Sequence, residues 1–259
     1  MKFSVLAYNF NNYEKFRELP DSALSNNIDY IYVTDNPNIK SNRWRVIVDK
    51  SLDGLGKFDK CYRVRFGLFN YTDADICVYI DGSIRVHQPI TPMVSRFIHS
   101  GKDMAVMVHP EQSTMFDEYM RWVEIRNYPK AQAFKCLGAM QMSGYDVMNY
   151  HGLYQGGMRI VKNLDKCRKV DEKTLELLTK LGDATDVERI DQTVWSYVLN
   201  HLYTDVTLYP FTQSWIQSTA LTIHGHNSDV LCGYHPNNTN PMGFVRNKSV
   251  LVDIEPNHQ

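Results

Sequence analysis

The chain has 259 residues, 43% hydrophobic and 22% charged, with a formal net charge of −1. That length is ample for a sizeable core in one large domain or two small ones. The near-zero charge excludes a global basic field that would gather nucleic acid or anionic membrane. Cys61, Cys77, Cys136, Cys167 and Cys232 form no CxxC pair and are odd in number, which predicts reduced thiols in a cytosolic setting rather than a disulfide framework or zinc knuckle.

In chain order, FSVLAY (Phe3–Tyr8) is a compact apolar run and reads as a first strand rather than a signal peptide. IDYIYVTD (Ile28–Asp35) and WRVIVD (Trp44–Asp49) follow as strands ending at DNPN and before DGLG. Helical spacing is expected over Lys57–Tyr71. DICVYID (Asp75–Asp81) is continuously apolar, as in a sheet covered on both faces. Thr91–Ser100 reads as a helix with Pro92 in its first turn, and Asp103–His109 as another buried strand. Helices are then expected over Ser113–Arg126, Pro129–Ser143, Asp171–Leu181 and Ile190–His201. Leu153–Lys162 reads as a strand interrupted at Gly156-Gly157, and the Asn- and Pro-rich tail from Asn237 as irregular. The alternation predicts an α/β fold, a mixed but mostly parallel sheet flanked by helices. No linker divides the chain, so residues 1–259 are expected to form a single domain. No apolar stretch is long enough to span a bilayer, which predicts a cytoplasmic protein, peripheral to membrane at most.

The stretch VYIDGSIRV (Val78–Val86) places Asp81 at the carboxyl end of an apolar strand, where open α/β sheets bind ligands. Gly82 would let a ligand approach the backbone. Asp81 and the Ser83 hydroxyl are both oxygen donors suited to a hard cation such as Mg2+ or Mn2+. An Asp-Gly turn with no ligand explains the tripeptide equally well. Haloacid-dehalogenase-type phosphatases carry a nucleophilic Asp two residues before such a position; here Tyr79 stands there and cannot form an aspartyl-phosphate.

Six segments taken together, VLAYNFNNYEKF, IDYIYVTDN, VYIDGSIRV, HPEQSTMFDE, GLYQGGMRIVKN and ERIDQTVWSYVL, resemble the glycosyltransferase-like family formerly called domain of unknown function 616, itself similar to family 8 glycosyltransferases. The resemblance covers most of the chain. It implies a GT-A fold and transfer of a sugar from a nucleotide-sugar donor, expected to be UDP-linked, to a glycan or glycolipid acceptor, as in polysaccharide biosynthesis. The Asp-x-Asp motif of GT-A glycosyltransferases becomes Asp81-Gly82-Ser83 here, and the family's arginine before Asp-Gln is displaced, since Ile190 separates Arg189 from Asp191.

Residue by residue, the resemblance implies that Ala7, Tyr8 and Asn9 border the nucleotide base. Asp35 would accept a hydrogen bond from uracil or ribose, or else form an Asx turn. Among Lys60, Arg63 and Arg65, one would neutralise the diphosphate. Asp81 and Ser83, with Gly82 between them, would hold Mn2+ or Mg2+, completed by His224 or His226 unless those histidines are merely solvated. Gly156 and Gly157 would line the sugar pocket, or else form a β-bulge. His109 and Glu111 would face the acceptor, with Glu111 or Glu118 as base if the reaction inverts. Asp191 and Gln192 would hold sugar hydroxyls or stabilise positive charge at the anomeric carbon; Asp191 as a helix cap is the alternative.

Overall fold

The computed structural model describes residues 1–110, 113–181, 191–217 and 221–223. Its elements run β1 (Phe3–Asn9), β2 (Ile28–Thr34), β3 (Arg45–Val48), α1 (Lys57–Arg65), β4 (Ile76–Ile80), β5 (Ile84–Val86), α2 (Thr91–His99), β6 (Met104–Val108), α3 (Met115–Arg126), α4 (Lys130–Met142), β7 (Tyr154–Lys162), α5 (Asp165–Leu181), α6 (Asp191–Tyr197), β8 (Leu208–Phe211), α7 (Gln213–Gln217) and β9 (Leu221–Ile223). Seven strands form one sheet in the order β3-β2-β1-β4-β7-β6-β8. Four neighbouring pairs are parallel, and β7 runs antiparallel to both β4 and β6. This is the mixed, mostly parallel sheet that the alternation predicts. β5 and β9 pair separately as a short antiparallel ribbon.

All five residues of β4 are buried, because helices cover both faces of the sheet. Successive side chains point to opposite faces. Leu6, Tyr8, Cys77 and Tyr79 pack with α3, α4, α5 and α6 on one side. Val5, Ala7, Val78 and Ile80 pack with Met93, Val94 and Phe97 of α2 on the other. The carboxyl ends of β1, β2 and β4 share one edge. The antiparallel β7 begins at that same edge, with Met158 opposite Ile80. Asn9, Asp35, Asp81 and the two β7 glycines are thereby brought to one side of the sheet.

Arg159 fastens the helices to the middle of this sheet. It is 2% exposed, as is Asp171 of α5. Its guanidinium donates to both Asp171 oxygens, at 2.5 and 2.9 Å, and a third N–H goes to the backbone carbonyl of Arg65. That carbonyl belongs to the last turn of α1, where helical acceptors lack partners and a cation is favoured. The same guanidinium lies 5.1 Å from the ring of Phe66 and 5.4 Å from that of Trp195. Burial pushes the Asp171 carboxyl up to about 6 against the pull of Arg159, a sign of how much water the pair has given up.

Several boundaries differ from the sequence reading. The helix expected to reach Tyr71 stops at Arg65, and a separate 3-10 turn covers Leu68–Asn70. Gly67 lies between them, so close to the preceding turn that a Cβ there would sit 2.5 Å from the Arg63 carbonyl oxygen. α5 begins at Asp165 rather than Asp171. Its buried Cys167, Val170, Thr174 and Leu178 keep helical spacing through a stretch whose charges obscure it. The helix expected over 190–201 is α-helical from Asp191 to Tyr197 and passes into a π-turn over Val198–Leu202. β7 is a continuous strand with an irregular register against β6, not two interrupted pieces: Arg159 faces Val106 and Gln155 faces Met107. Residues from Asn237 onward lie outside the described ones. The four described cysteines are unbridged, and no described helix is long and apolar enough to cross a membrane.

Removing Asp171 leaves the Arg159 charge buried without its counter-ion. Asp171→Ala is expected to lose about 3–5 kcal/mol in urea unfolding, whereas the apolar double replacement Arg159→Met with Asp171→Leu loses clearly less. Equal losses in the two proteins would show that the pair is not what holds α5 down.

Candidate active site

At the shared strand edge the side chains converge on the guanidinium of Arg65. It donates from Nε to the Tyr79 hydroxyl at 3.0 Å, and from Nη2 to the Tyr8 hydroxyl at 2.9 Å and Asp81 Oδ1 at 3.3 Å. Its Nη1 forms an ion pair with Asp191 Oδ2. Tyr79 in turn donates its hydroxyl proton to Asp81 Oδ1 at 3.0 Å. Asp81 comes from the end of β4, Tyr8 from β1, Asp191 from the start of α6 and Arg65 from the last turn of α1. The side chains of Arg65 and Asp191 are 11% and 6% exposed, while that of Asp81 is 26% exposed and forms the open side of the cluster.

Burial pushes the Tyr8 and Tyr79 phenols well up, so both stay protonated. Burial alone would lower Arg65, but the Tyr79 and Tyr8 oxygens and the Asp81 carboxylate outweigh it and keep the guanidinium charged. The cluster therefore carries one positive and two negative formal charges. Its net field at the open side favours a cation or a developing positive charge.

The glycines have specific neighbours. A Cβ on Gly156 would lie 2.7 Å from Arg65 Nη1 and 3.1 Å from Asp191 Oδ2, so this residue is small because the ion pair fills the space. Gly157 has room for a methyl, with its nearest atoms at 3.4 and 3.7 Å. Both lie within the β6–β7 register shift, so the bulge and the close approach occur together. Gly82 approaches its own chain: a Cβ there would meet Glu14 Cγ at 2.9 Å. Asp81 also opens a tight turn, its carbonyl accepting from the Ile84 N–H at 2.9 Å, while its own N–H donates to the Gly157 carbonyl at 2.8 Å. The turn and the carboxylate cluster coexist.

Gln192 extends the site along α6. Its amide donates to Glu118 Oε1 at 2.6 Å, and the same oxygen accepts from Trp122 Nε1 at 2.7 Å. Glu118 is 1% exposed, with His109 Nε2 3.9 Å away. A carboxylate so enclosed orients Gln192 rather than meeting solvent.

The other expected residues are placed as follows. Ala7 is buried on the α2 side of the sheet. Asn9 closes the NFNNYE loop, donating to the Glu14 carbonyl at 2.5 Å and accepting from the Glu14 N–H at 2.9 Å. Asp35 accepts from the Asn11 N–H at 3.0 Å and from Lys60 Nζ at 2.8 Å; it thus steadies a loop whose Asn11 and Asn12 have left-handed φ of 55° and 51°. The Asx turn of that segment belongs to Asn36, which accepts from the Asn38 N–H. Arg63 lines a separate cavity and is absent from the contacts around Asp81. Ser83 is half-buried and makes no hydrogen bond with a described residue. Glu111, His224 and His226 lie outside the described residues. Arg65 is the residue that sequence reasoning left least defined. The sequence marks it only as one of four cations in KFDKCYRVRF.

Among the described residues no group of three His, Cys, Asp or Glu side chains could hold a metal ion. Asp81 Oδ1 is engaged by Arg65 and Tyr79. Asp81 Oδ2 and the Ser83 hydroxyl carry no described partner, and these two oxygens fit a hard cation as a partial set.

No protein-family model matches the chain, and no curated protein matches it. Among solved structures, the chain is similar to the crystal structure of the glycosyltransferase GlyE from Streptococcus pneumoniae TIGR4. The identity is 14%, over 81% of this chain and 45% of that chain, with a TM-score of 0.41. The chain thus spans under half the length of that neighbour. The family resemblance rests on the segments quoted above.

The two β7 glycines provide a direct contrast. Gly156→Ala should displace the guanidinium and lose about 1–3 kcal/mol, as overpacking does. Gly157→Ala should stay within about 1 kcal/mol of the parent. Melting curves of both variants check this, and a harmless Gly156→Ala would refute the packing around Arg65.

Proposed function

We propose that the chain is a glycosyltransferase that moves a sugar from a nucleotide donor, UDP-linked, to a glycan or glycoconjugate acceptor. One observation carries this reading. Five segments far apart in sequence, those containing Tyr8, Asp81, Glu118, Gly156 and Asp191, meet around Arg65 and Gln192. They are segments on which the family resemblance rests, and they meet at the strand ends where α/β sheets bind ligands.

The donor diphosphate would lie beside Asp81. Asp81 and Ser83 would hold Mn2+ or Mg2+ together with that diphosphate, because two protein oxygens leave most of the coordination shell to other ligands. When bound, the ion would stabilise the departing diphosphate as a Lewis acid. Arg65 fixes Asp81 and Asp191 relative to one another through its planar donors. Asp191, enclosed behind Arg65, would add negative charge to the field that favours positive charge developing at the anomeric carbon. Gln192, oriented by Glu118, has its amide oxygen left to accept from a sugar hydroxyl.

The reading is tested by incubating the protein with a panel of nucleotide sugars and Mn2+ and following release of nucleoside diphosphate. Slow hydrolysis of at least one UDP-sugar is expected. Binding without turnover would instead indicate a sugar-binding module, and attack on simple phosphate esters a phosphohydrolase. Asp191→Asn keeps an acceptor for Arg65 but removes a buried counter-ion, so it is expected to lower the melting temperature and to lose most turnover at temperatures where the protein stays folded. A fully active variant would reduce Asp191 to a structural role. Mn2+ and UDP should each tighten the binding of the other by the same factor, as linkage requires. Asp81→Asn should abolish that enhancement, and UDP affinity unchanged by chelator would eliminate the metal.

A further inference from the structure

A cavity of 440 Å3 lies between the 3-10 turn after α1 and the start of α5, and it shares no lining residue with the Asp81 cluster. Its volume falls in the range of small-ligand sites. Leu52, Phe69, Tyr71 and Leu175 supply apolar and aromatic surface. Asp49 supplies a carboxylate fixed by Ser51, whose N–H and hydroxyl donate to Oδ1 at 2.9 and 2.6 Å, and by the Tyr71 hydroxyl, which donates to Oδ2 at 2.7 Å. Arg63 and Glu172 are exposed at the cavity and make no hydrogen bond or ion pair with a described residue. Arg168 gives one N–H to Asn163 at 3.0 Å.

The charges of this lining cancel. Arg63 and Arg168 balance Asp49 and Glu172, and Asp171 beneath them is neutralised by Arg159. A balanced lining does not select a phosphate or an ammonium ligand. Guanidinium donors and carboxylate acceptors set around aromatic rings instead suit pairs of hydroxyls on a ring whose C–H face lies on an aromatic side chain. We infer that this cavity is a second binding site, and that it takes one or two residues of a neutral saccharide. In an enzyme that extends a glycan, it would hold the acceptor chain away from the reacting end; that role, unlike the site itself, rests on the glycosyltransferase reading.

The test titrates the whole protein with neutral trisaccharides of glucose, galactose and N-acetylglucosamine to millimolar concentration, followed by saturation-transfer NMR. Binding of at least one is expected. Leu175→Trp, which fills the cavity, and Arg63→Ala should each weaken that binding by at least about tenfold. Glu172→Ala, an exposed change, keeps the test open if Leu175→Trp fails to fold by its melting curve. No binding of any trisaccharide, or binding that all three variants leave unchanged, overturns the inference. Nucleotide-sugar turnover is scored separately. Trisaccharide binding lost in Arg63→Ala without any turnover would remove the transferase reading and keep this site; turnover without trisaccharide binding would do the reverse.

Discussion

The guanidinium of Arg65 is the constraint from which the geometry of the site follows. Two carboxylates far apart in sequence, Asp81 and Asp191, could not approach one another in a half-buried space without a cation between them. A planar fork with five donors can hold both and still satisfy two phenols. Its position is set from behind: Arg159 grips the Arg65 carbonyl and the Asp171 carboxylate at once, so the site inherits its rigidity from a buried pair outside it. Small residues are then required where the fork passes, which is why β7 carries a glycine at position 156.

Much of the sheet was legible in the sequence. The runs behind β1, β2, β4 and β6 are continuous and apolar, and a strand buried on both faces has no reason to alternate. The short pieces were not legible. β5 and β9 have three residues each, too few to show a period, and β8 carries Pro210, which is tolerated because β8 is the edge strand. Helix ends were also hidden: α1 stops at Arg65, two residues before a glycine where a Cβ would press on the Arg63 carbonyl, while charged residues mask the true start of α5.

The site was legible to the extent that it depends on chain position. An aspartate ending an apolar strand and an aspartate opening a helix could both be singled out. Their meeting through Arg65 could not, because it is set by the path of α1 across the sheet. The same holds for the cations. Lys60, Arg63 and Arg65 look alike in sequence, yet they point respectively to Asp35, to a separate cavity and to Asp81. Gly82 likewise looked like room for a ligand, and the room is taken by Glu14.

The irregular register of β7 has a consequence for how this chain can change length. One step along β6, from Val106 to Met107, corresponds to four along β7, from Arg159 to Gln155. The excess is three residues, an odd number, so the face on which each side chain stands is inverted on passing the bulge. That inversion brings Tyr154 to the helix side, where its hydroxyl donates to Asn200 at 3.1 Å and its N–H to Ser196 at 2.9 Å. Arg159 and Tyr154 stand on the same face although five residues apart, so a one-residue deletion between Gln155 and Arg159 would let simple alternation keep Tyr154 on that face, whereas a two-residue deletion would leave an odd separation that still needs the bulge. At this point the fold counts parity: a gap of odd length can replace the bulge by regular strand, and a gap of even length cannot.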